Sequence, residues 1–228
     1  MVAAAKDFLK IYWPLVLVAF AGLVLTLMLM DPAPPKTIRF AAGSPGGAYY
    51  AYAERYQRLL GEQDVNVTLI QTAGSVENLR LLDEGSADVA LVQGGLATLG
   101  DAESLRSLGG LFHEPFWVFV RDEAGVKDFG QLRDLRMAIG PDGSGTRLLA
   151  LDLQNEFDGV WPAASRNSLT GIAAADALIE GKLDAAAFAA SPDAVYVQTL
   201  LRAPGISLLP FERAEALSRR QPALAAVV

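Results

Sequence analysis

The sequence predicts an α/β protein of two similar lobes facing each other across a cleft, preceded by one transmembrane helix. Three observations predict it. The first is a matched pair of glycine-rich turns, Gly43-Ser44-Pro45-Gly46-Gly47 and Gly140-Pro141-Asp142-Gly143-Ser144-Gly145, each placed between a short apolar run and the start of a helical pattern. The second is an echo at nearly the same offset. Glu84-Gly85-Ser86-Ala87-Asp88 returns as Glu180-Gly181-Lys182-Leu183-Asp184, so both motif pairs stand about 96–97 residues apart. A constant offset across two unrelated motifs describes two units built to one plan. The third is the uncharged stretch Ile11–Met30, long enough as a helix to cross a hydrocarbon core of about 30 Å.

The N-terminal run divides the chain. Tyr12 and Trp13 stand at one edge of the apolar stretch, where amphipathic rings favour the membrane interface, and Lys6 and Lys10 precede it. The expected organisation is a cytoplasmic tail over 1–10, an anchor over 11–30 and a stiff Pro-rich spacer over 31–36. Lobe one then covers 37–120 and lobe two 121–228. The apolar stretch exceeds the usual core of a cleaved signal, and no small-x-small site immediately precedes Asp31-Pro32-Ala33-Pro34-Pro35, so the anchor is expected to be retained. The body is then placed outside the inner membrane, on the periplasmic or external side.

Each element follows from local patterning. Ile38–Ala42 is an apolar strand ending in the first glycine turn. From Gly47 to Leu60, Tyr49, Tyr52 and Tyr56 recur at helical spacing until Gly61. Val65–Ile70 reads as a strand, and Thr72-Ala73-Gly74-Ser75 turns into a helix over Val76–Asp83, with Ser75 as its N-cap and Gly85 as its stop. Asp88–Val92 is a third strand, and the aromatic-rich Leu111–Val120 is a strand linking the lobes. Lobe two repeats the scheme: strand Met137–Ile139, a helix from Ser144-Gly145 to Glu156, and a helix capped by Ser168 or Thr170 running to Glu180. Strand Asp184–Ala189, helix Pro192–Leu201 and strand Gly205–Pro210 follow. Alternating short strands and helices indicate layered, mostly parallel sheets.

Composition narrows the chemistry. With no cysteine and one histidine, the chain has no disulfide, thiolate metal site or multi-histidine centre, and no metal or organic cofactor is expected. A net charge of −7 without a basic stripe argues against nucleic acid. The first turn is no P-loop, since no Gly-Lys-Ser/Thr follows, and it is not a dinucleotide fingerprint either. A helix N-terminus instead offers unpaired N–H groups and roughly half a positive charge, enough to bind an anion without lysine. In open α/β sheets such termini stand at the carboxyl ends of strands, where ligands sit.

The candidate ligand contacts come from those turns. Gly43 shapes the first, Ser44 offers a hydroxyl, Gly46 and Gly47 offer backbone N–H groups, and Tyr49 offers a ring or hydroxyl. Thr72 and Gly74 belong to the next turn. Ser75 and Asn78 read equally as a helix cap with its neighbour and as cleft residues. Gln93 ends a strand facing either the cleft or solvent. Ser144, Gly145 and Thr146 mirror the first turn from lobe two. Arg147 suits either a carboxylate or an exposed helix face. His113 beside Glu114 suggests acid/base chemistry, yet its apolar setting reads as structural. Asp88 and Asp184 fall at strand beginnings, opposite the cleft, where turn and capping duty is expected. No catalytic residue is assigned, because no base stands at a convincing spacing from Ser44 or Ser144.

Four segments, in order, resemble the TAXI-family solute receptors of TRAP transporters. They are Gly43-Ser44-Pro45-Gly46-Gly47-Ala48-Tyr49-Tyr50, Gly74-Ser75-Val76-Glu77-Asn78-Leu79-Arg80-Leu81-Leu82, Gly85-Ser86-Ala87-Asp88-Val89-Ala90-Leu91-Val92-Gln93, and Gly140-x-x-Gly143-Ser144-Gly145-Thr146. The resemblance covers about 37–212 and implies the type II periplasmic-binding-protein fold. It also implies capture of a small carboxylate, an amino acid or dicarboxylate, for delivery to a TRAP permease membrane subunit. Members of that family continue beyond the point matching Val228, so lobe two is expected to be incomplete. A ligand sensor on the same anchored body is the competing reading, and an enzyme on a bilobed fold is a third.

Overall fold

The computed structural model describes residues 2–29, 35–96, 104–156, 162, 165–211 and 214–220. The chain divides into two units, up to Lys36 and from Thr37 onward. The first is built on helix α1 (Val2–Leu29), which contains Pro14. Tyr12–Leu29 is long and apolar enough to cross a membrane, and none of its side chains is buried. An apolar surface all round a helix suits a hydrocarbon environment, in which every backbone N–H and C=O must be satisfied within the helix. Of the expected 31–36 spacer, residues 31–34 lie outside the described residues.

In the second unit, β1 (Thr37–Gly43), α2 (Ala48–Gly61), β2 (Asn66–Gln71), α3 (Ser75–Asp83) and β3 (Val89–Ala90) follow one another. The three strands form a parallel sheet in the order β2-β1-β3, with Phe40 opposite Leu69 and Val89. Parallel neighbours require crossover connections, and the helices between them supply these. The core on this sheet is small: Phe40, Ala42, Ala53 and Val67 are buried, and Tyr56 of α2 stacks on Phe40 with ring centroids 6.1 Å apart.

The second sheet has five strands: β4 (Phe116–Arg121), β5 (Met137–Ala138), β6 (Arg166–Asn167), β7 (Ala185–Ala189) and β8 (Ile206–Leu208). Their order is β6-β5-β7-β4-β8. Strand β4 runs antiparallel to both β7 and β8, while β5 is parallel to β6 and β7. Helices α4 (Gly145–Glu156), α5 (Gly171–Ile179), α6 (Val195–Leu200) and α7 (Ala214–Arg220) complete it.

The 37–120 stretch expected as lobe one therefore ends with a strand hydrogen-bonded into the second sheet. Val118, Phe119 and Val120 are buried and need partners on both faces and both edges. The alanines of β7 leave room for their bulk, and Phe119 meets Phe188 edge-on at 6.2 Å. Regular strand structure starts only at Phe116, so His113 precedes the strand and is exposed.

The internal repeat reaches deeper than its glycines. Arg39, at the start of β1, donates from its backbone N–H (2.7 Å), Nε (3.1 Å) and Nη2 (2.6 Å) to Asp88. Arg136, just before β5, donates from the same three atoms to Asp184 at 3.0, 2.9 and 2.6 Å. Each carboxylate is held below its ordinary pKa, first by its arginine's side-chain hydrogen bonds. These pairs tie β1 to β3 and β5 to β7 at the amino ends of the strands, so the turn duty expected of both aspartates takes the form of a duplicated Arg–Asp fork.

Candidate functional site

The carboxyl ends of β1 and β5 run into the paired turns. Gly43 and Gly140 adopt φ of +76° and +86°, a region costly for residues with a Cβ. At Gly140 a Cβ would also lie 2.7 Å from Ser144 Oγ. After the turns the two helices differ. In α4 the Ser144 hydroxyl donates to Pro141 O (2.8 Å) and accepts from Arg147 N–H (3.2 Å), serving as a built-in cap. In α2 the N-cap is Gly47, with no side-chain cap, and the first backward bond is Ala51 N–H to Gly47 O. Helix α5 likewise has no side-chain cap, and its first backward bond is Ala174 N–H to Thr170 O.

Residues of those two uncapped helix N-termini line one cavity. Ser44, Gly46 and Gly47 form one side of a cavity of about 230 Å³; Thr170, Gly171, Ile172 and Tyr196 form the other. The N-terminal ends of α2 and α5, one helix from each sheet, thus border one space, and such ends carry partial positive charge. A narrower cavity of about 80 Å³ adjoins it through Ser44, Gly47, Thr170 and Tyr196. Its walls include Tyr49, Ser75, Gln93 and Glu114, with Ser144, Gly145 and Thr146 opposite.

Of the residues expected at the cleft, Gly43, Ser44, Gly46, Gly47, Tyr49, Gly74, Ser75, Gln93, Ser144, Gly145 and Thr146 all line one or both cavities. Two do not. Thr72 Oγ1 accepts from Gly43 N–H (3.1 Å) and donates to Asn78 Oδ1 (2.5 Å), while Asn78 Nδ2 donates to Leu91 O (2.7 Å). Asn78 is fully buried. This brace ties the ends of the three strands together behind the cleft, because a buried amide must satisfy its hydrogen bonds locally.

The α3 terminus also departs from expectation. Gly74, not Ser75, is the N-cap, and Ser75 Oγ accepts Gln93 N–H at 3.0 Å. The N–H groups of Val76 and Glu77 both donate to Gly143 O of the second turn, at 3.1 and 3.2 Å. The two glycine turns therefore meet directly. Gly145 packs so closely that a Cβ there would fall 3.3 Å from Ser75 Oγ. Thr146 Oγ1 accepts Ala189 N–H at 3.0 Å, and Arg147 forms an ion pair with Asp142 at 2.8 Å.

Among the lining residues that sequence reasoning did not place in the cleft are Glu114, Thr170 and Tyr196. The one signal for Glu114 was a carboxylate inside the otherwise apolar run LFHEPFWVFV. Its Oε2 accepts the Tyr49 hydroxyl at 2.5 Å, and burial pushes its pKa up to about 6 despite that bond. Burial raises Tyr49 and pushes Tyr196 up to about 12, so both phenols are neutral at pH 7. Among the described residues, no group of three or more His, Cys, Asp or Glu is arranged to hold a metal ion.

Several solved structures share this architecture at low identity. A protein from Bordetella bronchiseptica RB50 is 20% identical with a TM-score of 0.59, over 82% of this chain and 60% of that one. The alkanesulfonate-binding protein SsuA from Xanthomonas axonopodis pv. citri, bound to MOPS, is 19% identical with a TM-score of 0.54, over 78% of this chain. An ancestral arginine-binding protein bound to arginine is 12% identical with a TM-score of 0.53, over 83% of this chain and 91% of that one. The chain spans 60% and 62% of the first two proteins' lengths. The fold is thus the mixed α/β, two-sheet fold of periplasmic binding proteins. The NMT1-like family matches residues 40–227, from the middle of β1 past the last described helix, and the chain belongs to that family.

Proposed function

We propose that this chain is a non-enzymatic, membrane-anchored extracytoplasmic solute receptor. It captures a small carboxylate-bearing ligand between its lobes and passes it to a TRAP-type permease. The observation that carries this reading is the convergence of two uncapped helix N-termini, α2 and α5, on one cavity between the two sheets. Amides held at fixed angles, with the Ser44 hydroxyl beside them and without a hydrogen-bond partner among the described residues, suit a carboxylate or another small oxyanion. Solute-binding neighbours of the same fold, one holding a sulfonate and one arginine, support a receptor role. The TAXI-like motifs support TRAP as the delivery route, and the apolar α1 supports anchoring in the inner membrane. A nucleophilic enzyme is disfavoured, since Ser144 Oγ is engaged in capping and, among the described residues, no basic side chain is hydrogen-bonded to Ser44.

The test is a thermal-shift and calorimetric screen of small carboxylates on the full chain in detergent, followed by Ser44→Ala. Losing one hydrogen bond to a charged group should weaken binding roughly tenfold to a hundredfold. Unchanged affinity in Ser44→Ala would remove the first turn from the site. A sensor role rests on the same anchored body; deleting the gene separates the two, because loss of uptake follows only from transport.

A further inference from the structure

The proposed oxyanion end accounts for half of the cleft; Glu114 occupies the other half. We infer that Glu114 is a cation-recognising group for the ligand, so that the cleft selects solutes carrying a protonated nitrogen as well as an acid group and rejects simple dicarboxylates. The inference rests on the receptor reading above and adds which solutes that receptor takes.

Four observations carry it. Glu114 lines the narrow cavity, and only one of its oxygens is used: Oε2 accepts from Tyr49, while Oε1 has no hydrogen-bond partner among the described residues. A carboxylate has about four acceptor positions, and one of them is used by the Tyr49 hydroxyl. Among the described residues, no lysine or arginine pairs with it, so its charge is uncompensated. Among the described residues, Tyr49 of α2 and Tyr196 of α6 interact with it, and neither supplies a positive charge. Their rings add walls that favour a cation over an anion.

The raised pKa of Glu114 agrees with this geometry, since it reports an under-solvated carboxylate that a cation would stabilise. A dicarboxylate reaching from α2 and α5 into the narrow cavity would set its second carboxylate against Glu114. An ammonium group there would complete the pairing. The competing reading makes Glu114 only a structural anchor for the Tyr49 hydroxyl. A glutamine at 114 keeps an oxygen for that hydroxyl and loses only the charge, which separates the two roles.

Calorimetry at pH 7.5 on the detergent-solubilised full chain decides it, using pairs that differ only in an amine. The pairs are L-glutamate with glutarate, L-leucine with 4-methylpentanoate, and 5-aminopentanoate with pentanoate. In at least one pair the amine-bearing member is expected to bind about tenfold tighter or more. Glu114→Gln should bring that member to within about twofold of its partner, by weakening the amine-bearing member and, for glutarate, relieving repulsion of its second carboxylate, while Glu114→Asp keeps the preference. Amine-free acids binding as tightly as their partners would overturn the inference and leave the receptor reading standing. So would a preference that survives in Glu114→Gln. Absence of binding by every member of all three pairs would count against both. If Glu114→Gln fails to melt cooperatively, the wild-type comparison alone decides between selection for the amine and indifference to it.

Discussion

Glu114 is hydrogen-bonded to Tyr49 and interacts with Tyr196, and its titration should be visible in the stability of the ligand-free protein. Burial raises its pKa from an ordinary 4.5 to about 6, with the Tyr49 hydrogen bond opposing the rise. The folded chain therefore binds this proton more tightly than the unfolded chain. Its contribution is most favourable below about pH 4.5 and is lost as pH rises through about 6. The expected loss is roughly 1–2 kcal/mol. Asp88 and Asp184, held low by their arginines, act in the opposite direction, because their stabilisation disappears as pH falls. Urea unfolding between pH 4.5 and 7.5 should therefore be compared with Glu114→Gln, the difference isolating this one group. Parallel pH profiles for the two proteins would show that the carboxyl is not desolvated.

Among the elements, the paired helices α2 and α4 begin alike in sequence and differently in chemistry. The Ser144 hydroxyl closes the start of α4 on itself, whereas Gly47 leaves α2 without a side-chain cap. Ser144→Ala is accordingly expected to lower stability by about 0.5–2 kcal/mol, the usual value of a lost N-cap, in chemical denaturation. Its effect on ligand affinity should be smaller than that of Ser44→Ala. The reverse order would make Ser144 a ligand contact first and a cap second. Strand β7 makes a related point. Its Ala-Ala-Ala-Phe-Ala stretch has weak intrinsic strand preference, yet it is central in the sheet because β4 brings Val118 and Phe119 against it. The register of the repeat pointed to a strand there, and only long-range packing explains why alanine suits it.

Two predictions belong to the whole molecule. Gly74 has φ of +136°, and a Cβ there would meet Ser144 Cα at 3.3 Å, across the contact between the two turns. Gly74→Ala should therefore strain the backbone and push the turns apart, seen as a larger radius of gyration in solution scattering and a lower melting temperature. Scattering identical to the wild type would mean that this contact does not hold the lobes together. The second concerns α1. N-terminal sequencing of protein purified from membranes should begin at or near Met1, whereas a start near Pro35 would make the apolar run a cleaved signal.

The sequence by itself determined the alternation of strands and helices, the two matched turns at strand ends, and the apolar N-terminal run. Each depends on neighbours within a few residues: side-chain periodicity, glycine at positive φ, the absence of charge. Only the tertiary structure decided which sheet receives Phe116–Arg121, because both sheets offered an edge and the choice rests on packing against β7 and β8, far along the chain. It also turned Thr72 and Asn78 inward as a brace and brought Glu114 into the cleft. It set Gly143 O over the amides of α3 as well, although a free helix start and an occupied one look alike in sequence. Burial and partnership are properties of two surfaces meeting, and a local pattern describes only one of them.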